Sequence, residues 1–163
     1  MTEIDNVMVE MGRAVEQGRA GDRAGARAAL EALWDSVGAD GDALHRCSIA
    51  HYCADLQDAV ADELEWDRRA LAAVTDLTDE RARRFQESLQ VRAFLPSLHL
   101  NLADGYRRSG ETDRARHHLG LAMDQADALP ADEYGAWLRN ALDRVRAALD
   151  AGSRAVLAGP VPA

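Results

Sequence analysis

The stretch LADGYRRSGETDRARHHLGLA, residues 102–122, has the pattern that decides the fold. Apolar residues recur in it at three- and four-residue steps, which is the period of an α-helix with one buried face. Gly110 interrupts the pattern, and glycine favours the backbone conformation of a turn between two helices. Small residues allow the two helices to approach and larger ones fill the space between them: Ala103, Ala115, Tyr106 and Leu119. The stretch therefore predicts an antiparallel helical hairpin.

The rest of the chain is also typical of α-helices. Strong helix formers dominate, β-branched residues are sparse, and the first 95 of the 163 residues contain no proline. Glycine and proline divide the periodic segments into short helices joined by tight turns. We therefore predict an all-α fold. Hairpins are expected over about 2–37, 42–76 and 96–129, with an inserted helix over about 79–91. A capping helix over about 132–151 and a disordered tail over 152–163 follow.

The hairpin pattern is repeated along the chain. Gly21, Ala26, Leu30 and Leu33 have the same spacing as four residues of the first stretch, Gly110, Ala115, Leu119 and Ala122. In the middle of the chain the repeat is degenerate. When Asp58 is placed at the turn position, Ala70 is the one residue that fits the spacing pattern well. Repeated hairpins of this kind predict a solenoid in which neighbours bury each other's apolar faces.

Residues 102–122 resemble a tetratricopeptide repeat closely, and residues 21–33 resemble one fairly well. The resemblance implies a single domain over residues 1–151: a tetratricopeptide-like right-handed superhelix with a C-terminal capping helix. In that family the first helix of each hairpin lines a concave groove that binds peptides. The resemblance places ten residues of this chain at the inward-facing positions that would bind a peptide or protein partner: Met8, Met11, His45, Ser48, Tyr52, Asp55, Asn101, Asp104, Arg107 and Arg108. Four further positions lie beside them: Val15, Arg19, Ser97 and Leu100.

The charges of the chain narrow the chemistry of such a groove. The net charge is −9, and all 19 cationic residues are arginines. Without lysine, a Schiff base, a lysine general base and a P-loop lysine are excluded. The carboxylate-clamp members of the tetratricopeptide family use lysines. Arg107 and Arg108, with Asn101, would instead bind a carboxylate through planar, bidentate contacts.

Two clusters suggest an alternative, a small helical enzyme or metal protein. Residues 45–55 contain two histidines and two cysteines, which are zinc-ligand types, but the helical period places only Cys47 and His51 on one face. The pairs His51/Asp55 and His99/Asp104 would form an acid–base site if both faced one cleft. No nucleophile motif or phosphate loop accompanies them, so we predict no catalytic residue, no metal ligand and no cofactor.

Other classes of partner are disfavoured by composition. The acidic net charge and an aromatic content of 5% disfavour nucleic-acid binding. No apolar run reaches the length of a membrane helix, and the first residues lack the pattern of a secretory signal. Cys47 and Cys53 lie too far apart along a helix for a disulfide. We therefore expect a cytoplasmic, non-catalytic adaptor or regulatory accessory protein that binds a protein or peptide segment, with a homodimer that fills its own groove as a further possibility.

Overall fold

The computed structural model describes residues 4–85 and 91–157, and these residues belong to two compact units. The first unit contains five helices: α1 (Asn6–Arg19), α2 (Arg23–Val37), α3 (Ala43–Asp55), α4 (Val60–Val74) and α5 (Asp79–Phe85). α1 packs against α2, α2 against α3, and α3 against α4, while α1 also contacts α3. The first unit is therefore built from two consecutive helical hairpins, followed by the short helix α5.

The second unit is also helical. A 3₁₀ turn (Val91–Ala93) precedes α6 (Leu95–Ser109) and α7 (Thr112–Asp124), and a second 3₁₀ turn (Ala126–Ala128) leads to α8 (Glu133–Asp150). α6, α7 and α8 all contact one another. No strand occurs in either described stretch, so the predicted all-α class is confirmed.

Aspartate side chains begin several of these helices. Asp5, Asp22, Asp42 and Asp132 each accept a hydrogen bond from a backbone amide in the first turn of the following helix. Such a cap satisfies one of the amide groups that have no partner within the helix, and it stabilises the helix by about 1 kcal/mol. The aspartates of the chain thus fix where α1, α2, α3 and α8 start.

The turn predicted at Gly110 joins α6 to α7. Gly110 has a φ of +84°, a left-handed conformation in which a residue with a Cβ is strained. The amide of Glu111 donates to the Tyr106 carbonyl, which closes the end of α6. A Cβ at Gly110 would also come within 2.9 Å of the Arg154 guanidinium. The left-handed turn therefore requires glycine, whereas the exposed Arg154 side chain could move away from an added Cβ.

The repeated spacing found in the sequence coincides with the cores of the hairpins. Ala26 and Ala115 are fully buried, and the later positions of the same spacing, Leu30, Leu33, Leu119 and Ala122, also belong to the core. In the degenerate copy, Asp67 occupies the position of Leu30 and Leu119 and is only 1% exposed. A carboxylate therefore lies where the other two hairpins have leucine.

Three parts of the structure differ from the sequence-based layout or extend it. The contacts divide the described residues into two compact units, and the single domain predicted over residues 1–151 stays a prediction. The inserted helix predicted over 79–91 is described as α5 up to Phe85, residues 86–90 lie outside the described residues, and Val91 begins a 3₁₀ turn. Within the predicted tail, Ser153 and Arg154 form hydrogen bonds with α6, and residues 158–163 lie outside the described range.

Candidate functional site

One face of α3 carries four of the predicted binding residues. His45, Ser48, Tyr52 and Asp55 follow each other at steps of three or four residues, and none of them is buried. The opposite face of α3 packs into the core. We call these four residues the α3 stripe. Since the side chains of one stripe lie on one helical face, the α3 stripe offers a hydroxyl, a phenol, an imidazole and a carboxylate in one line.

The two cysteines lie on the buried face of α3. Burial raises the pKa of Cys47 and of Cys53 to about 12, so both remain protonated thiols at neutral pH. Both are free cysteines. Their place in the core accounts for them as packing residues, since a small thiol behaves there as an apolar group.

The predicted binding residues of α1 are divided between surface and core. Met8 and Val15 are half-buried, whereas Met11 is only 7% exposed and belongs to the core. Arg19 is exposed and pairs with Glu16 of its own helix. The assignment of Met11 to a ligand-facing surface is therefore corrected, because its apolar side chain packs inside the unit.

An ionic cluster lies at the His45 end of the α3 stripe. Arg81 of α5 donates from Nε to Asp42 Oδ2 over 2.6 Å and from Nη2 to Asp5 Oδ2 over 3.2 Å. His45 Nε2 lies 2.8 Å from the same oxygen of Asp5. We call these four residues the Arg81 cluster. From the sequence, only His45 was predicted to belong to a site. The position of Asp5 and Asp42 directly before helices was a signal for those two residues.

The electrostatics of the Arg81 cluster favour two ionised carboxylates. Burial alone would raise the pKa of Asp5, but the hydrogen bonds from His45 and from the Met8 amide lower it below its ordinary value. For Asp42, burial again raises the pKa, and the bonds from Arg81 and the His45 amide more than offset that effect. Both aspartates thus stay charged, which is the state that binds a guanidinium.

The accessible face of α6 is a second stripe. Ser97, Asn101, Asp104 and Arg108 are half-buried and follow each other at steps of three or four residues, and we call them the α6 stripe. Leu100, a neighbour predicted to face a ligand, is 5% exposed and belongs to the core. Asp104 and Arg108 pair with each other over 2.9 Å. The α6 stripe therefore presents a zwitterionic surface rather than a cluster of cations.

Arg107 does not face a ligand, contrary to the prediction from the sequence. Its side chain is 1% exposed and donates from Nη2 to Asp104 Oδ1 over 2.6 Å. Its Nη1 donates to the Ser153 carbonyl over 2.8 Å. Arg107 is therefore a buried structural cation that attaches the segment after α8 to α6, and Arg108 is the accessible member of the arginine pair.

A histidine pair, which the sequence did not predict, links α6 to α7. The Nδ1 atoms of His99 and His118 lie 3.0 Å apart, a distance at which one nitrogen donates its proton to the other. The Tyr106 ring stacks on the His118 ring with centroids 5.5 Å apart. The neighbouring His117 is exposed, whereas His118 is half-buried.

Protonation of this pair is disfavoured. Burial, followed by the proximity of His99 and His117, lowers the pKa of His118 to about 4. Burial and the proximity of His117 also lower the pKa of His99. A hydrogen bond between the two rings needs one nitrogen without a proton, so the pair is neutral at physiological pH.

Two members of the alternative acid–base set, His99 and Asp104, lie in the second unit and bond to other side chains. His99 bonds to His118, and Asp104 bonds to Arg107 and Arg108, so these two residues are engaged elsewhere. Across the described residues, no three histidine, cysteine or acidic side chains converge as ligands for a metal ion. His99 and Asp104 therefore bond to other side chains rather than to each other.

Two depressions border Gly110 in the second unit. One of about 370 Å³ is a broad surface hollow along Gly110 to Arg114. The other, of about 120 Å³, is lined by residues that include Arg107, Leu149 and Arg154. Small-molecule sites are concave, mostly apolar and about 300–1,000 Å³ in volume. The first hollow is open and polar and the second is too small, so neither has the properties of such a site.

Comparisons of the chain with protein-family models, with curated proteins and with solved structures found no match. Within residues 4–85 and 91–157, no helix is both long enough and apolar enough to cross a membrane.

Proposed function

We propose that the protein is a non-catalytic, tetratricopeptide-like module that binds a peptide or protein segment on the first helices of its hairpins. The observation that carries the proposal is that α3 and α6, which hold equivalent places in their hairpins, each leave one polar stripe accessible. The other faces of α3 and α6 are buried. A repeat scaffold uses its core for stability and its free stripe for recognition.

Helix packing supports this proposal. In the first unit, α1 contacts both its hairpin partner α2 and the first helix of the next hairpin, α3. In the second unit, α6 contacts both α7 and α8. A first helix that contacts both its hairpin partner and the helix after that partner is typical of stacked helical hairpins. The burial of Ala26 and Ala115, where helices must approach closely, agrees with the same arrangement.

The chemistry of the α3 stripe suits a peptide better than a small molecule. Tyr52 provides a ring for apolar contact and a hydroxyl for a hydrogen bond, and its ring meets the edge of the His51 ring at 5.3 Å. Ser48 and Asp55 add further hydrogen-bonding groups on the same face. A row of separated polar groups along about three helical turns matches the length of an extended peptide segment of several residues.

Selection from a displayed library of random peptides tests the proposal. We expect peptides enriched on the wild-type protein to lose at least tenfold in affinity for Ser48→Arg, which blocks the middle of the α3 stripe, and for Tyr52→Ala, which removes its aromatic group. Ala72→Arg is the matched control, because Ala72 is exposed on α4 and receives the same side chain. Circular dichroism checks that all three variants keep their helices.

Two outcomes would contradict the proposed function. One is a selection on the folded wild-type protein that enriches no peptide. The other is equal binding of the enriched peptides to Ser48→Arg, Tyr52→Ala and the Ala72→Arg control, which would place the binding surface away from the α3 stripe.

A further inference from the structure

The Arg81 cluster has the composition of a site that recognises an arginine side chain. Two carboxylates and an imidazole surround the Arg81 guanidinium. Asp42 accepts a hydrogen bond from Nε and Asp5 accepts one from Nη2, while His45 Nε2 lies 3.3 Å from Nη2. Charge-assisted bonds of this kind are stronger than neutral ones, and their geometry distinguishes arginine from lysine. The guanidinium at the centre belongs to α5 of the same chain.

The acceptors of this site are oriented by helices other than α5. Asp5 Oδ1 accepts from the Met8 amide over 3.2 Å, and Asp42 Oδ1 accepts from the Leu44 amide over 3.0 Å. Each carboxylate therefore uses one oxygen to cap its own helix and the other to bind Arg81. Because α1 and α3 fix the carboxylates, the site keeps its shape when the guanidinium is replaced by another.

α5 itself is short and buries little of its surface among the described residues. It is seven residues long, Ala82 is its only buried residue, and Phe85 at its end is 46% exposed. A helix of seven residues is not stable alone in water. Arg81 is thus a principal anchor of α5, and its side chain is 16% exposed, which leaves an edge open to an approaching ligand.

We propose that α5 is an intramolecular ligand, in which Arg81 occupies an arginine-recognition site formed by Asp5, Asp42 and His45, and that an arginine-bearing peptide segment of a partner takes this site when α5 dissociates. The inference rests on the proposed function, because His45 is the first residue of the α3 stripe. It adds that the partner segment is cationic. It also adds that the contact of Arg81 with Asp5, Asp42 and His45 keeps the site occupied in the free protein.

A fluorescein-labelled peptide spanning residues 78–85 of this chain tests the inference by fluorescence anisotropy. If α5 leaves the site empty in 1–10% of molecules, its removal raises the affinity for a competing guanidinium about ten- to a hundredfold. We therefore expect Arg81→Ala protein to bind this peptide at least tenfold more tightly than wild-type protein does. Arg83→Ala is the matched control, because Arg83 is exposed on the same helix and forms no part of the cluster.

A second pair of changes examines the acceptor side. Asparagine caps a helix as well as aspartate does, so Asp42→Asn keeps the cap of α3 and removes the charge. We expect Arg81→Ala/Asp42→Asn to lose the gained binding, and a peptide with Arg81→Gln to bind none of the proteins. Arg81→Lys, which keeps a cation but not the planar fork, is expected to show a smaller gain and serves if Arg81→Ala does not fold.

Equal affinity of the peptide for wild-type protein and both Arg81 variants would overturn the inference, and so would a gain that survives Asp42→Asn. In those cases the Arg81 cluster only attaches α5 to the rest of the first unit. Such a result leaves the proposed function standing if library peptides still lose affinity for Ser48→Arg and not for Ala72→Arg. The two proposals therefore fail in different measurements.

Discussion

The neutral histidine pair between α6 and α7 makes the stability of the protein depend on pH. The pKa of His118 is lowered from 6.5 to about 4 in the folded protein. An unfolded chain binds this proton more readily than the folded one does, so protonation favours unfolding. The stability contributed by the neutral ring is complete above pH 6.5 and is lost progressively as the pH falls from 6.5 to about 4.

The size of this effect follows from the pKa difference. Between pH 7.5 and pH 5, a shift of this size lowers the free energy of unfolding by about 2 kcal/mol. Because His118 is only half-buried, solvent screening reduces that value, and we expect a loss of about 1 kcal/mol. The aspartates whose pKa values are lowered, Asp5, Asp22 and Asp42, lose their stabilising effect only below about pH 4. Their titration therefore lies outside this window.

Urea denaturation followed by circular dichroism at pH 7.5 and pH 5 measures the loss. We expect His118→Gln to show about half of the wild-type loss or less, because glutamine does not titrate and can still donate a hydrogen bond to His99. His117→Gln is the matched control, since His117 is exposed on the same helix, and we expect it to retain most of the loss. Equal losses in wild type and His118→Gln would refute the reasoning, because the titrating group would then lie elsewhere.

Other predictions concern buried groups and caps. Replacing Arg107 by alanine should lower the free energy of unfolding by about 2–3 kcal/mol, because it removes a buried charge and its bond to Ser153. Arg108→Ala should lower it by less than about 1 kcal/mol. Similar losses for the two variants in urea denaturation would contradict the structural role of Arg107. Asp22→Ala should lower the free energy of unfolding by about 1 kcal/mol through loss of the α2 cap, and Asp22→Asn should be nearly neutral. Cys47 should resist a thiol reagent such as dithionitrobenzoate at pH 7.5 until urea unfolds the protein, and rapid reaction of the native protein would contradict its burial.

Much of the fold could be predicted because its signals are local. The period of apolar residues, the glycine at the α6–α7 turn and the aspartates before helices each act within one or two helical turns. Gly110 illustrates this, since its left-handed conformation is required by the turn itself. The positions of the α3 stripe came instead from the resemblance to a tetratricopeptide repeat, and none of the four is buried in the structure.

The binding residues of α6 could be predicted less well. Adjacent arginines at 107 and 108 are indistinguishable by composition, yet a rotation of about 100° between neighbouring helical residues places one in the core and the other at the surface. Met11 and Leu100 were assigned to a ligand-facing surface by the resemblance to the tetratricopeptide family, and both are buried. Small errors in the assumed orientation of a helix therefore exchange core and surface residues at the edge of a stripe.

By itself, the sequence determined that this protein is all-α, where its helical hairpins turn, and which alanines and leucines fill their cores. Only the tertiary structure decided which charged and titratable side chains meet. Arg81 and Asp5 are 76 residues apart in the chain, and His99 and His118 belong to different helices. The physical reason is one of range: helix periodicity and capping depend on residues within a few positions, whereas an ion pair or a shared proton depends on atoms that approach within about 3 Å only after the helices have packed.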